Sequence, residues 1–266
     1  MVTAILIFIL VSVGYVSLIL PRLVSRADMS HLRCDYAHRG LHSDKIPENS
    51  QGAFRLAVEH RVGIELDVQL SKDGVPMVFH DDTLTRVCGR DERLCDLTAD
   101  ELSSIPLCGS SEYTVPTLMQ VLELVDGRVP LLIELKTGNP ELCPIVAEML
   151  DSYNGSFCIE SFDPRLLSWM KKHRPGFARG QLVGRSVKEK HTSSFILNFM
   201  LASLISHMMS RPDFIAADVN IKGNLSVFLC RRLFCIPTFG WTVRDKETYN
   251  ACKKRGINCI FENFVP

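Results

Sequence analysis

Short strand-like runs alternate with helix-like segments along almost the whole chain, and that rhythm limits the fold more than any single residue does. Strands are expected at 35–38, 63–69, 76–79, 130–134, 156–161, 177–182, 214–218 and 236–242, with a further short run at 258–261. Helices are expected at 50–60, 117–125, 141–151, 164–172, 225–234 and 246–255. Asn49-Ser50 and Asp163-Pro164 supply helix starts, where a short polar side chain caps before the first turn. Ser71-Lys72-Asp73-Gly74 reads as a tight turn between the second and third strands. About eight strands with intervening helices in one chain of this size predict an α/β fold, a (β/α)₈ barrel of the TIM type, with a doubly wound open sheet as the rival. The barrel makes the polar residues intelligible. His38, Glu65, Asp67, His80, Glu134, Lys136, Ser161 and Trp241 fall at strand C-terminal ends, the end where barrels of this kind carry their sites.

The 266 residues are 46% apolar, enough for a sizeable core, and 30 Lys+Arg balance 30 Asp+Glu. A neutral total excludes global attraction to nucleic acid, and no basic stripe with interleaved aromatics appears. Attraction for an anionic substrate must therefore be local. The ten cysteines are scattered without a CxxC pair and sit mostly beside apolar residues, as in Phe157-Cys158-Ile159. Packed thiols in a reducing compartment fit this better than a disulfide framework.

Residues 2–20 hold no charge and are mostly Ile, Leu and Val, about the length of a bilayer-crossing helix. No basic stretch precedes them and the cleavage pattern is poor, so a signal peptide is disfavoured; a buried core helix is the plainer alternative. The expectation is a membrane anchor over 1–22, a linker over 23–33 and a barrel over 34–266. Arg22, Arg26 and Arg33 follow the apolar run, which predicts a single-pass membrane protein with its catalytic domain facing the cytoplasm.

Within the strand-like run Ile64-Glu65-Leu66-Asp67-Val68, Glu65 and Asp67 project to one face. Like charges so placed resist burial unless a cation or a shared proton offsets them, and a hard divalent metal is the natural offset. Two histidines in charged company lie close in sequence, in Ala37-His38-Arg39-Gly40 and Phe79-His80-Asp81-Asp82. Carboxylates, imidazoles and an arginine in one short stretch point to phosphoryl chemistry. That chemistry needs positive charge on the phosphoryl oxygens and an acid and a base on opposite sides of phosphorus.

The ordered set His38-Arg39-Gly40, Pro47-Glu48-Asn49-Ser50, Glu65-Leu66-Asp67, Ser71-Lys72-Asp73-Gly74-Val75-Pro76, His80-Asp81, Leu84-Thr85-Arg86, Glu134-Leu135-Lys136, Ser161-Phe162-Asp163 and Trp241-Thr242-Val243 resembles the glycerophosphodiester phosphodiesterase family. The resemblance covers nearly everything after the expected anchor over 1–22. It implies a barrel, a divalent cation (Mg²⁺ or Ca²⁺), and hydrolysis of a glycerol-linked phosphodiester to glycerol 3-phosphate and an alcohol. On this reading Glu65, Asp67 and Glu134 hold the metal, and Glu48 is a possible further metal or glycerol contact. Arg39 and Lys136 pair with phosphate oxygens, Trp241 forms an apolar wall, and His38 and His80 share acid and base duty without assignment between them. The family pattern also allows a glycerol hydroxyl to attack first, giving a cyclic phosphate that water opens. Two departures bear on substrate choice: Glu262 stands where Asp is commoner, and Arg244 stands where a small polar residue is typical.

Two other functions fit the same residues. A lysophospholipase D would cleave the same bond in a lysophospholipid drawn from the membrane, and a silent barrel would only bind such diesters. The paired imidazoles beside a metal site favour an enzyme. His42, His60, His173, His191 and His207 read as ordinary surface or hydrogen-bonded residues. The apolar stretch 193–209 reads as a buried barrel helix, or as a membrane-dipping lid.

Overall fold

The chain builds eight parallel strands into a closed ring, with helices packed around the outside. The computed structural model describes residues 1–24, 27–184, 203–221 and 223–266. The N-terminal half runs α1 (Val2–Leu18), β1 (Tyr36–Ala37), α2 (Gln51–Glu59), β2 (Gly63–Leu70), β3 (Pro76–Val78), α3 (Thr85–Cys88), α4 (Ala99–Ser103), α5 (Leu118–Val125) and β4 (Leu131–Leu135). It continues with α6 (Leu142–Asp151), β5 (Phe157–Ser161), α7 (Pro164–His173) and β6 (Ala178–Val183). The last part holds α8 (His207–Ser210), β7 (Phe214–Asp218), α9 (Leu225–Leu233), β8 (Thr238–Val243), α10 (Lys246–Lys254) and β9 (Asn258–Phe261).

The ring runs β1-β2-β4-β5-β6-β7-β8-β9 and closes where β9 pairs with β1. The strand expected at 76–79 is not part of it. A turn at 71–74 returns the chain at once, and so short a link reaches only an antiparallel neighbour, so β3 lies beside β2 as a hairpin arm. The run at 258–261 supplies the eighth ring strand instead.

Side-chain alternation sorts each strand into an outer and an inner set. Ile64, Leu66 and Val68 face out, into a cluster with Phe54 of α2 and Leu118 of α5. Glu65 and Asp67 face in. Tyr36, Leu132, Cys158, Phe214, Phe239 and Ile260 fill the barrel below the polar rim. Phe239 packs edge-on to Tyr36 and Phe214, at centroid distances of 5.7 and 4.9 Å. Met29 and Leu32, from the stretch expected to be a linker, are buried in the same cluster. A separate cluster of Met77, Phe79, Leu84, Leu94, Leu102 and Val115 makes the excursion between β2 and β4 a packed unit that holds His80 in place. Helix starts are capped as expected: Ser50 Oγ accepts from Ala53 N at 3.1 Å, and Asp163 caps α7 with Pro164 in its first turn. The ten cysteines are free thiols.

One interior position carries a sharp packing constraint. A Cβ on Gly180 of β6 would lie 2.0 Å from Cε2 of Phe214, whose ring is wedged against Phe239. Gly180→Ala should therefore cost about 1–3 kcal/mol through overpacking, read as a thermal midpoint lower by roughly 2–10 °C. An unchanged midpoint would show that the barrel centre relaxes freely.

The expected membrane anchor and single-pass topology are overturned. Among the described residues no helix is long and apolar enough to cross a membrane. The apolar run does form a helix, α1, but it ends after 17 residues. At 1.5 Å per residue that is ~26 Å, short of a hydrocarbon core of ~30 Å. Its C-terminal end is also fastened to the barrel. Ile19 is fully buried with Val183, Ile215 and Cys230. Tyr15 Oη lies 2.6 Å from Ser226 Oγ, and Arg211 donates to the carbonyls of Ser17 and Leu20. The predicted cytoplasmic orientation rested on that anchor and falls with it. Of the apolar stretch 193–209, residues 193–202 lie outside the described residues. Of the rest, Leu204 and His207 are buried, with the His207 imidazole donating to the Ile19 carbonyl at 3.0 Å, and Met208 is exposed.

Candidate active site

Register assembles the acidic centre. Glu65 and Asp67 share a face of β2, and Asp67 pairs laterally with Glu134 of β4. The three carboxylates are buried, and their donor atoms lie within 4.8 Å of one another. Glu160 of β5, next in register to Glu134, is also buried. Two cations face this group. Lys136 Nζ lies 2.7 Å from Asp67 Oδ1 and 2.8 Å from Glu134 Oε1. Arg39 Nε lies 3.3 Å from Asp67 Oδ2, and its backbone N–H donates to Glu65 Oε2 at 2.8 Å. That N–H is aimed by a left-handed turn, φ 56° at Arg39 and 80° at Gly40. Only glycine suits the second position, because a Cβ there would also meet Ala53 Cβ at 2.8 Å.

Four buried carboxylates against two cations leave the centre short of positive charge, and the titration behaviour reflects it. Burial, then the neighbouring Asp67 and Glu134 charges, push Glu65 well above the usual carboxylate range. Burial also raises Glu134 and Glu160. Asp67 goes the other way: burial would raise it, but Lys136, His80 and Arg39 outweigh that and hold it ionised. Three hard oxygen donors with uncompensated charge, dry and convergent, fit a divalent cation.

Glu48 stands apart from the trio. Its Oε1 accepts from Arg39 Nη1 at 2.7 Å and from Arg86 Nη2 at 2.7 Å, and its Oε2 accepts from Arg86 Nη1 at 2.8 Å. Burial pushes Glu48 up, but the two guanidinium groups hold it down to about 2. A depressed carboxylate stabilises the fold above its unfolded value of 4.5, and that contribution is lost as pH falls toward 2. Glu48→Gln should cost on the order of 1–2 kcal/mol at neutral pH, screening at half-exposed Arg86 included, and should flatten acid unfolding between those values. Circular dichroism against pH checks this, and an equally steep acid slope in the variant would contradict it.

Both imidazoles are held the same way. His38, just after β1, has Nδ1 at 2.5 Å from Glu262 Oε2, and Glu262 Oε1 accepts from Arg244 Nε at 2.6 Å. His80 has Nδ1 at 2.6 Å from Asp81 Oδ1, and Asp81 Oδ2 accepts from Arg86 Nε at 2.6 Å. A carboxylate only accepts, so each Nδ1 carries the proton and neither of these contacts engages Nε2. Burial, opposed by Glu262, lowers His38 to about 4. Burial would raise Glu262, but the His38 hydrogen bond keeps it ionised. Gln69 Nε2 donates to the carbonyls of Phe79 and Asp81 at 2.9 and 2.8 Å, fixing the loop that carries His80. Trp241 packs edge-on to Phe162 at 5.6 Å and donates to the Ala216 carbonyl at 3.0 Å, giving the rim one apolar side.

The sequence-predicted residues His38, Arg39, Glu65, Asp67, His80, Glu134, Lys136 and Trp241 all lie at the C-terminal rim. Four neighbours were not foreseen in these positions. Asn49 Nδ2 donates to Asp67 Oδ2 at 2.8 Å, and Glu160 stands beside Glu134. Arg244 steadies Glu262, and His42 Nε2 lies 3.8 Å from Glu262 Oε2 although its sequence gave it an ordinary reading.

A closed β/α barrel with this rim belongs to the class of barrel hydrolases that act on phosphate esters. Residues 38–266 match the Glycerophosphoryl diester phosphodiesterase family. The chain belongs to that family and is a phosphodiesterase. A glycerophosphodiester phosphodiesterase of Caldanaerobacter subterraneus subsp. tengcongensis is 34% identical over 237 residues, covering 84% of this chain and 91% of the relative. The crystal structure of a glycerophosphodiester phosphodiesterase from Thermotoga maritima superposes with a TM-score of 0.66 at 28% identity, covering 86% of this chain and 94% of that one. An Oleispira antarctica phosphodiesterase, solved with the product sn-glycerol-3-phosphate, shares the fold at TM-score 0.70 and 23% identity, over 86% of this chain and 92% of its own.

Proposed function

We propose that this chain hydrolyses glycerophosphodiesters to glycerol 3-phosphate and an alcohol, with His38 and His80 exchanging protons through Nε2. The observation that carries the reading is the pair of carboxylate-anchored imidazoles flanking one acidic centre. Family membership and the activity named for the 34% identical relative support the substrate class. Glu65, Asp67 and Glu134 would hold a divalent cation, Mg²⁺ or Ca²⁺, which when bound neutralises phosphoryl charge as a Lewis acid. Arg39 and Lys136 reach that centre from the side and would pair with the remaining phosphate oxygens, Arg by its fork and Lys as a point charge. One Nε2 takes a proton from the attacking oxygen, and the other gives one to the departing alkoxide. Glu48 holds Arg39 in place rather than meeting the ion, since both its oxygens are taken by guanidinium groups. Trp241 and Phe162 would give the glycerol or the leaving group an apolar wall.

The test is choline release from glycerophosphocholine and from lysophosphatidylcholine in detergent across a metal series, with glycerol 3-phosphate the co-product expected from the first and acylated glycerol 3-phosphate from the second. Turnover is expected with added Mg²⁺ or Ca²⁺ and should vanish with a chelator. Activity on the soluble diester supports the reading as stated. Activity confined to the acylated one would move the function to a lysophospholipase D, and metal-replete inactivity on all would leave a binding barrel.

A further inference from the structure

The pole of the barrel opposite the rim carries a concentration of positive charge that phosphodiester hydrolysis does not use. A groove of about 790 Å³ opens at the N-terminal ends of β8 and β9. Arg33, Arg231, Arg232, Lys254 and Arg255 line it, and no acidic residue does. They converge from three segments: the approach to β1, the end of α9 and the end of α10. Among the described residues none of the five is in an ion pair. Arg231 Nη2 donates to the Arg255 carbonyl at 2.7 Å, and Arg232 stacks over Phe228 at 5.9 Å. The nearest acid in sequence, Asp35, is engaged by Lys253 Nζ at 3.0 Å and by Tyr249.

Basic residues at helix C-termini are ordinary, because the helix dipole puts roughly half a negative charge there. Two helix ends thus offset about one of the five charges. They do not account for Arg33, which belongs to no helix, nor for a concave site of ligand size. The crowding is felt within the group: burial, then the Arg232 and Arg255 charges, lower the affinity of Arg231 for its own proton. Arg231 and Arg255 also border the neighbouring cavity that Asp218 and Glu247 line, but among the described residues neither acid forms an ion pair with the cluster, and Arg33, Arg232 and Lys254 do not line that cavity.

We propose that this groove is an anion site for a ligand bearing two or more phosphate groups. Guanidinium forks match phosphate oxygens in pairs, and Thr238 and Asn258 on the floor add polar partners. The shared chemistry is clustered phosphate, either free in solution or displayed as a lipid headgroup. The site is separate from the catalytic rim.

The test titrates the full chain with inorganic tripolyphosphate by calorimetry, and in parallel follows acetylation of Lys254 by mass spectrometry. Tripolyphosphate should bind, weaken as salt rises, and protect Lys254. Arg232→Glu combined with Lys254→Glu should weaken binding at least about tenfold with diester turnover unchanged. Arg33→Glu alone, on a different segment, should weaken it in the same direction and guards against misfolding of the double variant. Co-sedimentation with vesicles of phosphatidylcholine, with and without a phosphatidylinositol bisphosphate, separates the sources. Charge-dependent vesicle binding competed by tripolyphosphate assigns a headgroup, and tripolyphosphate binding without it assigns a soluble ligand. No protection of Lys254, or equal affinity in the charge-reversed chains, overturns the proposal.

Discussion

Replacing His38 or His80 with alanine should lower kcat by roughly 10²–10⁴-fold each while leaving the fold intact. Neither imidazole is part of a hydrophobic cluster. Each hangs at the rim by one strong Nδ1 contact, to Glu262 or to Asp81, and both acids keep an arginine partner when the ring is removed. The thermal midpoint should therefore move little. The double variant should be scarcely worse than either single one, because on the proposed mechanism the two rings would serve one proton relay and such effects are not additive. Single-turnover rates and melting curves on the three variants decide it. A midpoint loss that matches the activity loss would make the histidines structural.

Asp67→Ala should be the most damaging single change at the centre, and for a different reason. Asp67 is 1% exposed. It meets Lys136 Nζ at 2.7 Å, Asn49 Nδ2 at 2.8 Å and Arg39 Nε at 3.3 Å. Removing it strands two buried cations whose remaining partners, Glu134 and Glu48, lie to the sides. Breaking a buried pair of this kind costs about 3–5 kcal/mol, a midpoint lower by roughly 6–20 °C in a chain of this size. Activity should fall below detection as well. Asp67→Asn, which keeps the shape and loses the charge, should lose activity nearly as completely but retain part of the stability. Calorimetry on both variants separates these effects, and a stable Asp67→Ala protein would contradict the charge network described here.

The parts of this site that were legible in sequence are those set by local rules. Strand alternation put Glu65 and Asp67 on one face, and the family resemblance named Glu134, which inter-strand register then sets beside Asp67. Ser50 and Asp163 declared their helix starts through capping chemistry. What was not legible depends on closure of the ring. Glu262 meets His38 across 224 residues because the last strand pairs with the first, and nothing local marks Arg244 as the group that steadies Glu262. Glu160 sits in an apolar strand where only lateral register exposes it to Glu134. The N-terminal segment failed differently. Hydropathy gave its composition correctly, but the helix end at Leu18 and the docking of Ile19 onto the barrel are tertiary facts that a window of apolar residues does not contain.

The most direct test of the central claim is the stoichiometry of Mn²⁺ binding to the metal-stripped chain, read by electron paramagnetic resonance. One high-affinity ion per chain is expected, weakened at least about tenfold in Glu65→Gln and again in Glu134→Gln. No tight ion in the native chain, or one that survives in the doubly substituted protein, would contradict a cation cradled by these acids.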